Sequence, residues 1–366
     1  MLNASGSRAL LAAALLLAAG KGAAQPAATP LSCAPGDKLA YVCGPAKPED
    51  IVAIPGTPWL IASGFSQGAG LKLVDGARAS TQLWFTAHPE QLAPDRKRYA
   101  SCPGPVDPAL FNARGLSLRR TGPERFSLHV VNHGGRESIE VFDVTVTAGQ
   151  PMLRWRGCLP MPEGLVANSV ATFSDGTVLA TVLNRPGATI ADFVLGNLTG
   201  AVYQWAPGDT AFRLVRGTEL PGNNGLETAP DDRHFYVVAF GWHAVVVYDR
   251  KNPASPKAKI MAPGFMPDNI HWTDGRLLVA GMRLDEPGCG GLRKVVNGVA
   301  DGMLCHRGYV VAEVDPRSNS MTPILSGEPE AAFNGVSAAA LSKGRLWIGS
   351  YQSDRLAYIA FPEQPR

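Results

Sequence analysis

One pattern recurs along the chain and restricts its fold more than any other feature: a polar residue, an apolar strand, a turn, then a second apolar strand ending near a small residue. It is read at PEDIVAIPGTPWLIASG, ARGLSLRRTGPERFSLHVVNH, ANSVATFSDGTVLATVLN, NNGLETAPDDRHFYVVAFG, PDNIHWTDGRLLVAG and FNGVSAAALSKGRLWIGSY. The leading polar residues are Glu49, Arg114, Asn168, Asn224, Asp268 and Asn334, spaced 44 to 66 residues apart. Most units run on into further strands such as SIEVFDVTV, GAVYQWAP, HAVVVYDR, YVVAEVDP and RLAYIAF, giving about four strands per repeat. Long amphipathic helical patterns are scarce, and 40 glycines with 30 prolines suit a chain of strands and turns. The expectation is an all-β protein, a six-bladed β-propeller with four-stranded blades around a central tunnel. Stacked solenoids or sandwiches would need helices or longer strands than the sequence offers.

That architecture has a chemical consequence. The innermost strand of each blade lines the tunnel, so the residues that open those strands meet at one end of the axis although they are far apart in sequence. Glu49, Asn168, Asn224 and Asp268 are four of them, and Asn269 adds another oxygen donor. Taken singly, each is an ordinary turn former at a strand start. Together, two carboxylates and several amide carbonyls make a hard, all-oxygen set that suits Ca2+ better than zinc or copper, and two negative charges balance the ion.

The N-terminus reads as a targeting segment. Arg8 precedes an apolar run over residues 9–19, followed by Gly22, Ala23 and Ala24 before Gln25, the three-part pattern of a secretory signal peptide. The expected organisation is a signal peptide over 1–24, an N-terminal extension over 25–47 and the propeller over 48–366. No later segment offers about 18 uninterrupted apolar residues, so the mature chain carries no expected transmembrane helix. Export to a bacterial periplasm or beyond makes the six cysteines candidates for disulfides. Six cysteines permit about 15 pairings, among which sequence does not choose; short closures favour Cys33 with Cys43 and Cys289 with Cys305, leaving Cys102 for Cys158. A zinc site is the competing reading, but no CxxC pair or local Cys/His cluster appears. The formal charge of +3 comes from 34 basic and 31 acidic residues scattered along the chain, without the basic run that a nucleic acid would call for.

At these motifs the chain resembles the paraoxonase/arylesterase family and, more distantly, gluconolactonase and regucalcin. PEDIV resembles that family's first-blade acidic pair, carried by Glu49 and Asp50; FNARGLS with VVNHGGRESIEVFDV looks like its second blade. ANSVATF, NNGLETAPDD and PDNIHW supply Asn168, Asn224, Asp268 and Asn269, and GRLWIGSY resembles the closing blade. The resemblance implies a catalytic calcium held by Glu49, Asn168, Asn224, Asp268 and Asn269. Three departures stand out. Arg114 occupies the place of a histidine whose partner is kept as His133; Ser169 replaces an acidic residue that would join Asp50 at a second, structural calcium; and no cysteine lies beyond Cys305 to tie the chain ends. One firm calcium is therefore the expectation.

The activity so implied is hydrolysis of a small-molecule ester or lactone, the metal polarising the carbonyl for attack by water. His133 and Asp268 are the candidate bases. Arg114 cannot serve as one, but its guanidinium is suited either to a substrate carboxylate or developing oxyanion, or to a salt bridge with a ring carboxylate. The Gly-rich segment over residues 283–306, bracketed by Cys289 and Cys305, is expected over the tunnel mouth. A noncatalytic propeller rigidified by its ion, and a lyase or isomerase using the metal to stabilise an enolate, are the alternatives; activity on lactones and aryl esters with and without chelator separates them.

Overall fold

The computed structural model describes residues 33–361, Asp37 apart. The signal-peptide reading and its cleavage point near Gln25 fall outside the described residues. Six four-stranded antiparallel sheets follow one another along the chain as six blades. Their inner strands are Ile51–Ala53, Ala113–Gly122, Ala167–Thr172, Asn223–Thr228, Phe265–Thr273 and Val336–Ser342. Blades two, three and four are simple meanders, while blade five carries a small hairpin, Val295–Val296 against Val299–Ala300, between its second and third strands. The longest helical element among the described residues is the five-residue helix Ile190–Val194, capped at Thr189 by a reciprocal pair with Asp192.

Blade six is closed from the other end of the chain. Its outermost strand is Ala40–Cys43, which pairs with Arg355–Ala360 from Ala40 opposite Tyr358 to Cys43 opposite Arg355. A stretch read from sequence as an N-terminal extension thus supplies a strand to the propeller. Joining first and last strands in one sheet leaves no gap in the ring.

Each sheet is buried on both faces. Six apolar clusters fill the six blade interfaces: Ile61 and Leu73 meet Phe126 and Phe142 between blades one and two, and Val42, Trp347 and Leu356 meet Leu60 and Val74 between blades six and one. In Ala244–Asp249 of blade four, Val246 and Tyr248 pack towards blade three whereas Val245 and Val247 pack towards blade five. This explains why the strands read as continuous apolar runs, since alternation marks a sheet with only one covered face. All three cysteine pairs form as expected, Cys33–Cys43, Cys102–Cys158 and Cys289–Cys305. No helix among the described residues is long and apolar enough to cross a membrane.

Candidate functional site

The inner strands share an irregularity that the repeat pattern did not disclose. Pairing with the second strand shifts register between Ala113 and Leu116, Ala167 and Val170, Asn223 and Leu226, Pro267 and Ile270, and Val336 and Ala338. A β-bulge leaves extra residues unpaired and re-aims their side chains. Arg114, Asn168, Asn224, the pair Asp268 and Asn269, and Ser337 occupy these five bulges. The leading residue of blade six is therefore not Asn334, whose Oδ1 accepts the Arg307 N–H at 3.2 Å and whose amide donates to Gln352. Ser337 takes the position and donates its Oγ hydroxyl to the Glu49 carbonyl at 2.6 Å. Two glycines allow the bulges to approach: a Cβ on Gly115 would stand 2.6 Å from the Asn168 carbonyl oxygen, and one on Gly225 would collide with the Asp268 carbonyl.

Contacts across the tunnel tie the ring together. The Asn269 amide donates to the Glu49 carbonyl at 3.2 Å, and Asn224 hydrogen-bonds the Asp268 carboxyl. Having spent their nitrogens this way, Asn224 and Asn269 keep buried Oδ1 atoms with no partner; so does Asn168, and Glu49 keeps a buried Oε2 in the same state. Orphaned buried acceptors are costly and call for a cation or donor that the protein does not supply. Burial pushes the Glu49 carboxyl up to about 7 against the opposing pull of Arg114. Burial, reinforced by Glu49, holds the Asp268 carboxyl well above the usual carboxylate range. Two carboxylates that repel each other beside three unpartnered amide oxygens fit a hard divalent ion. No cluster of three or more His, Cys, Asp and Glu side chains poised for a metal occurs among the described residues; amides provide most of the donors here. Asn112 and Asn184 carry similar orphaned oxygens, which sequence reading passed over.

Below this ring Asp50 is already satisfied. Its Oδ1 accepts the Ile51 N–H and faces His271 Nε2 at 2.7 Å, and its Oδ2 accepts the Leu116 N–H at 2.7 Å. Ser169 Oγ accepts the Leu226 N–H. Burial opposes a charge on His271, but Asp50 and Glu227 outweigh it and raise the imidazole to about 10. Further along the strand, Arg119 pairs with Asp232 at 2.6 Å and donates to the Thr172 carbonyl.

On blade two His133 stands at the turn after Arg125–Asn132, its Nδ1 2.7 Å from Glu137 Oε2. Asn132 fixes that turn by bonding Gly134, Arg136 and the Asn112 N–H. Glu137 lies within VVNHGGRESIEVFDV with no local mark of a role; only the folded turn brings it onto the ring nitrogen. Arg114, half-buried, lies over Phe65 with Cζ 3.2 Å from the ring centroid, and its Nε and one terminal nitrogen have no partner. The expected alternative, a salt bridge from Arg114 to a ring carboxylate, does not form.

An apolar wall borders Asp268. Phe193, Phe240, Met266 and Met282 cluster there with Tyr351 packed against them. Beside them a cavity of about 220 Å³ is lined also by Leu284, Leu292 and Arg293. The last three belong to the long segment of blade five closed by Cys289–Cys305, which Arg307 anchors through the Leu284 and Gly291 carbonyls. A wider cavity, about 1030 Å³, lies at the far ends of the inner strands, among Ile54–Thr57 and Thr273–Arg276. It is remote from the donors, and its Arg276 is neutralised by Glu313 at 2.6 Å.

Comparison by sequence finds no matching family model and no matching curated protein. Among solved structures, the chain is similar to a gluconolactonase from Xanthomonas campestris, with 14% identity over 89% of this chain and 91% of that one and a TM-score of 0.50. It is likewise similar to regucalcin, a calcium-binding protein from Agrobacterium tumefaciens, with 11% identity over 91% and 96% and a TM-score of 0.50. These likenesses support the fold, the six-bladed propeller of four-stranded sheets described above.

Proposed function

We propose that the protein is an exported calcium-dependent hydrolase of a lactone or ester, with its site at the ring of Glu49, Asn168, Asn224, Asp268 and Asn269. The observation that carries this reading is the set of three buried, unpartnered amide oxygens beside the Glu49 and Asp268 carboxyl groups, with Glu49 Oε2 itself unpartnered. A calcium ion held by these residues would supply electrophilic polarisation of a carbonyl. Export rests on three disulfides and on the signal-like N-terminus.

The chain's own groups account for the remaining needs. A carboxylate on Nδ1 of His133 requires the proton there and leaves Nε2 with its lone pair, the tautomer of a base that takes a proton from water. Tyr351, Met266 and Phe240 exclude solvent on the blade-five side, and the cavity beyond them has room for an apolar substituent, since about 150 Å³ already holds benzene.

The test is metal analysis of the purified protein, followed by assay of lactones and aryl esters with and without chelator. We expect stoichiometric calcium and chelator-sensitive hydrolysis; a stoichiometric transition metal without calcium, or full activity in Asp268→Ala, overturns the reading. Asp268→Ala should lose at least about 10²-fold in kcat. His133→Gln should lose about 10²-fold if His133 is the base, whereas a loss of a few-fold removes His133 from that role.

A further inference from the structure

We infer that the substrate carries a carboxylate beside its reacting carbonyl and that Arg114 clamps it; the inference rests on the hydrolase reading for the carbonyl but not for the anion. At the bulge where blades three, four and five present oxygen donors, blade two presents a guanidinium. Such a group is costly to bury without acceptors, yet Nε and one terminal nitrogen of Arg114 are buried with none. Glu49 and Glu137 are the carboxylates whose fields reach it, and it forms an ion pair with neither. Glu137 is engaged with His133, and Glu49 belongs to the donor ring.

The guanidinium is held ready. Its Cζ lies 3.2 Å from the centroid of Phe65, which packs edge-on against Tyr351 with centroids 5.9 Å apart, and Tyr351 in turn stands within the field of Asp268. A planar cation on an aromatic face whose Nε–H is unspent can turn that edge, Nε–H with the terminal N–H beside it, to the two oxygens of a planar anion. A carboxylate on the substrate supplies both acceptors before any chemistry occurs, so its contribution appears in binding. A developing oxyanion would be a single acceptor present only in the transition state, and its loss would appear in kcat.

The experiment compares γ-butyrolactone with its ring carboxylate, 5-oxotetrahydrofuran-2-carboxylate, in the wild-type protein, Arg114→Gln and Arg114→Lys. Isothermal titration with the non-hydrolysable tetrahydrofuran-2-carboxylate accompanies the kinetics, and thermal unfolding checks that each variant folds. We expect the wild type to prefer the carboxylate-bearing lactone by about 10- to 100-fold through KM. Arg114→Gln should lose that preference and the binding heat, and Arg114→Lys should retain a part of both, since the charge remains without the fork. Equal kcat/KM for the two lactones in the wild type, or a fall in kcat on both alike in Arg114→Gln, overturns the clamp. Carboxylate binding that depends on Arg114 in a protein hydrolysing neither these lactones nor the panel of lactones and aryl esters upholds the clamp and rejects the hydrolase.

Discussion

Residue types at the tunnel are legible in the sequence because oxygen donors in a repeated register are rare enough to notice. Glu49, Asn168, Asn224, Asp268 and Asn269 are brought to one end of the tunnel, with Asn224 bonded to Asp268 and Asn269 to Glu49. His271 is different: PDNIHW offers no reason to charge it, and its role exists only because Asp50, more than 200 residues away in the chain, faces its Nε2. Its folded-state pKa of about 10 lies above the unfolded value of about 6.5, so the stabilisation is complete below about pH 6.5 and is lost as pH rises through 10. His271→Asn leaves Asp50 without its cation and should cost about 3–5 kcal/mol near pH 6. Denaturant unfolding of both proteins should show that difference shrinking between pH 7 and pH 10; a constant gap would mean that the pair is not ionised.

At the level of elements, the repeat predicted strands well and bulges not at all. The polar residue before each apolar run marked where an inner strand begins, but whether it faces the tunnel depends on a register slip, which is a property of two paired strands. Asn334 illustrates the failure: it heads the sixth motif, yet Ser337 lies in that blade's bulge. Glycines near the bulges are therefore informative. Gly225→Ala places a methyl against the Asp268 carbonyl, which should cost about 1–3 kcal/mol and force blades four and five apart at the ring. Calcium affinity should fall by about tenfold or more, as read by titration calorimetry. Gly122→Ala meets nothing closer than 3.6 Å and serves as the control that should change neither affinity nor Tm. Unaltered calcium binding in Gly225→Ala would show that blade spacing does not set the ring.

For the whole molecule, closure is the property that holds the six blades around one axis. The strand Ala40–Cys43 covers the edge of Arg355–Ala360, and its Tyr41 with the preceding Leu39 completes the apolar cluster between blades five and six. A chain beginning at Gly44 should expose that edge and aggregate or unfold non-cooperatively in calorimetry. Replacing Cys33 and Cys43 by serine should cost only about 2–3 kcal/mol, because it opens a short loop and leaves the strand in place. Cooperative unfolding of the truncated chain at the wild-type Tm would refute this role of the strand. The sequence by itself determined the number of blades, their strand content and the polar residue types near the start of most inner strands, since repeat period and residue chemistry are local properties. The tertiary structure decided which polar residues face the axis, that Asp50 is matched by His271, and that Arg114 keeps two nitrogens unspent. Each of these depends on contacts between blades distant in sequence, where burial withdraws water and leaves every polar atom to find its partner across the tunnel.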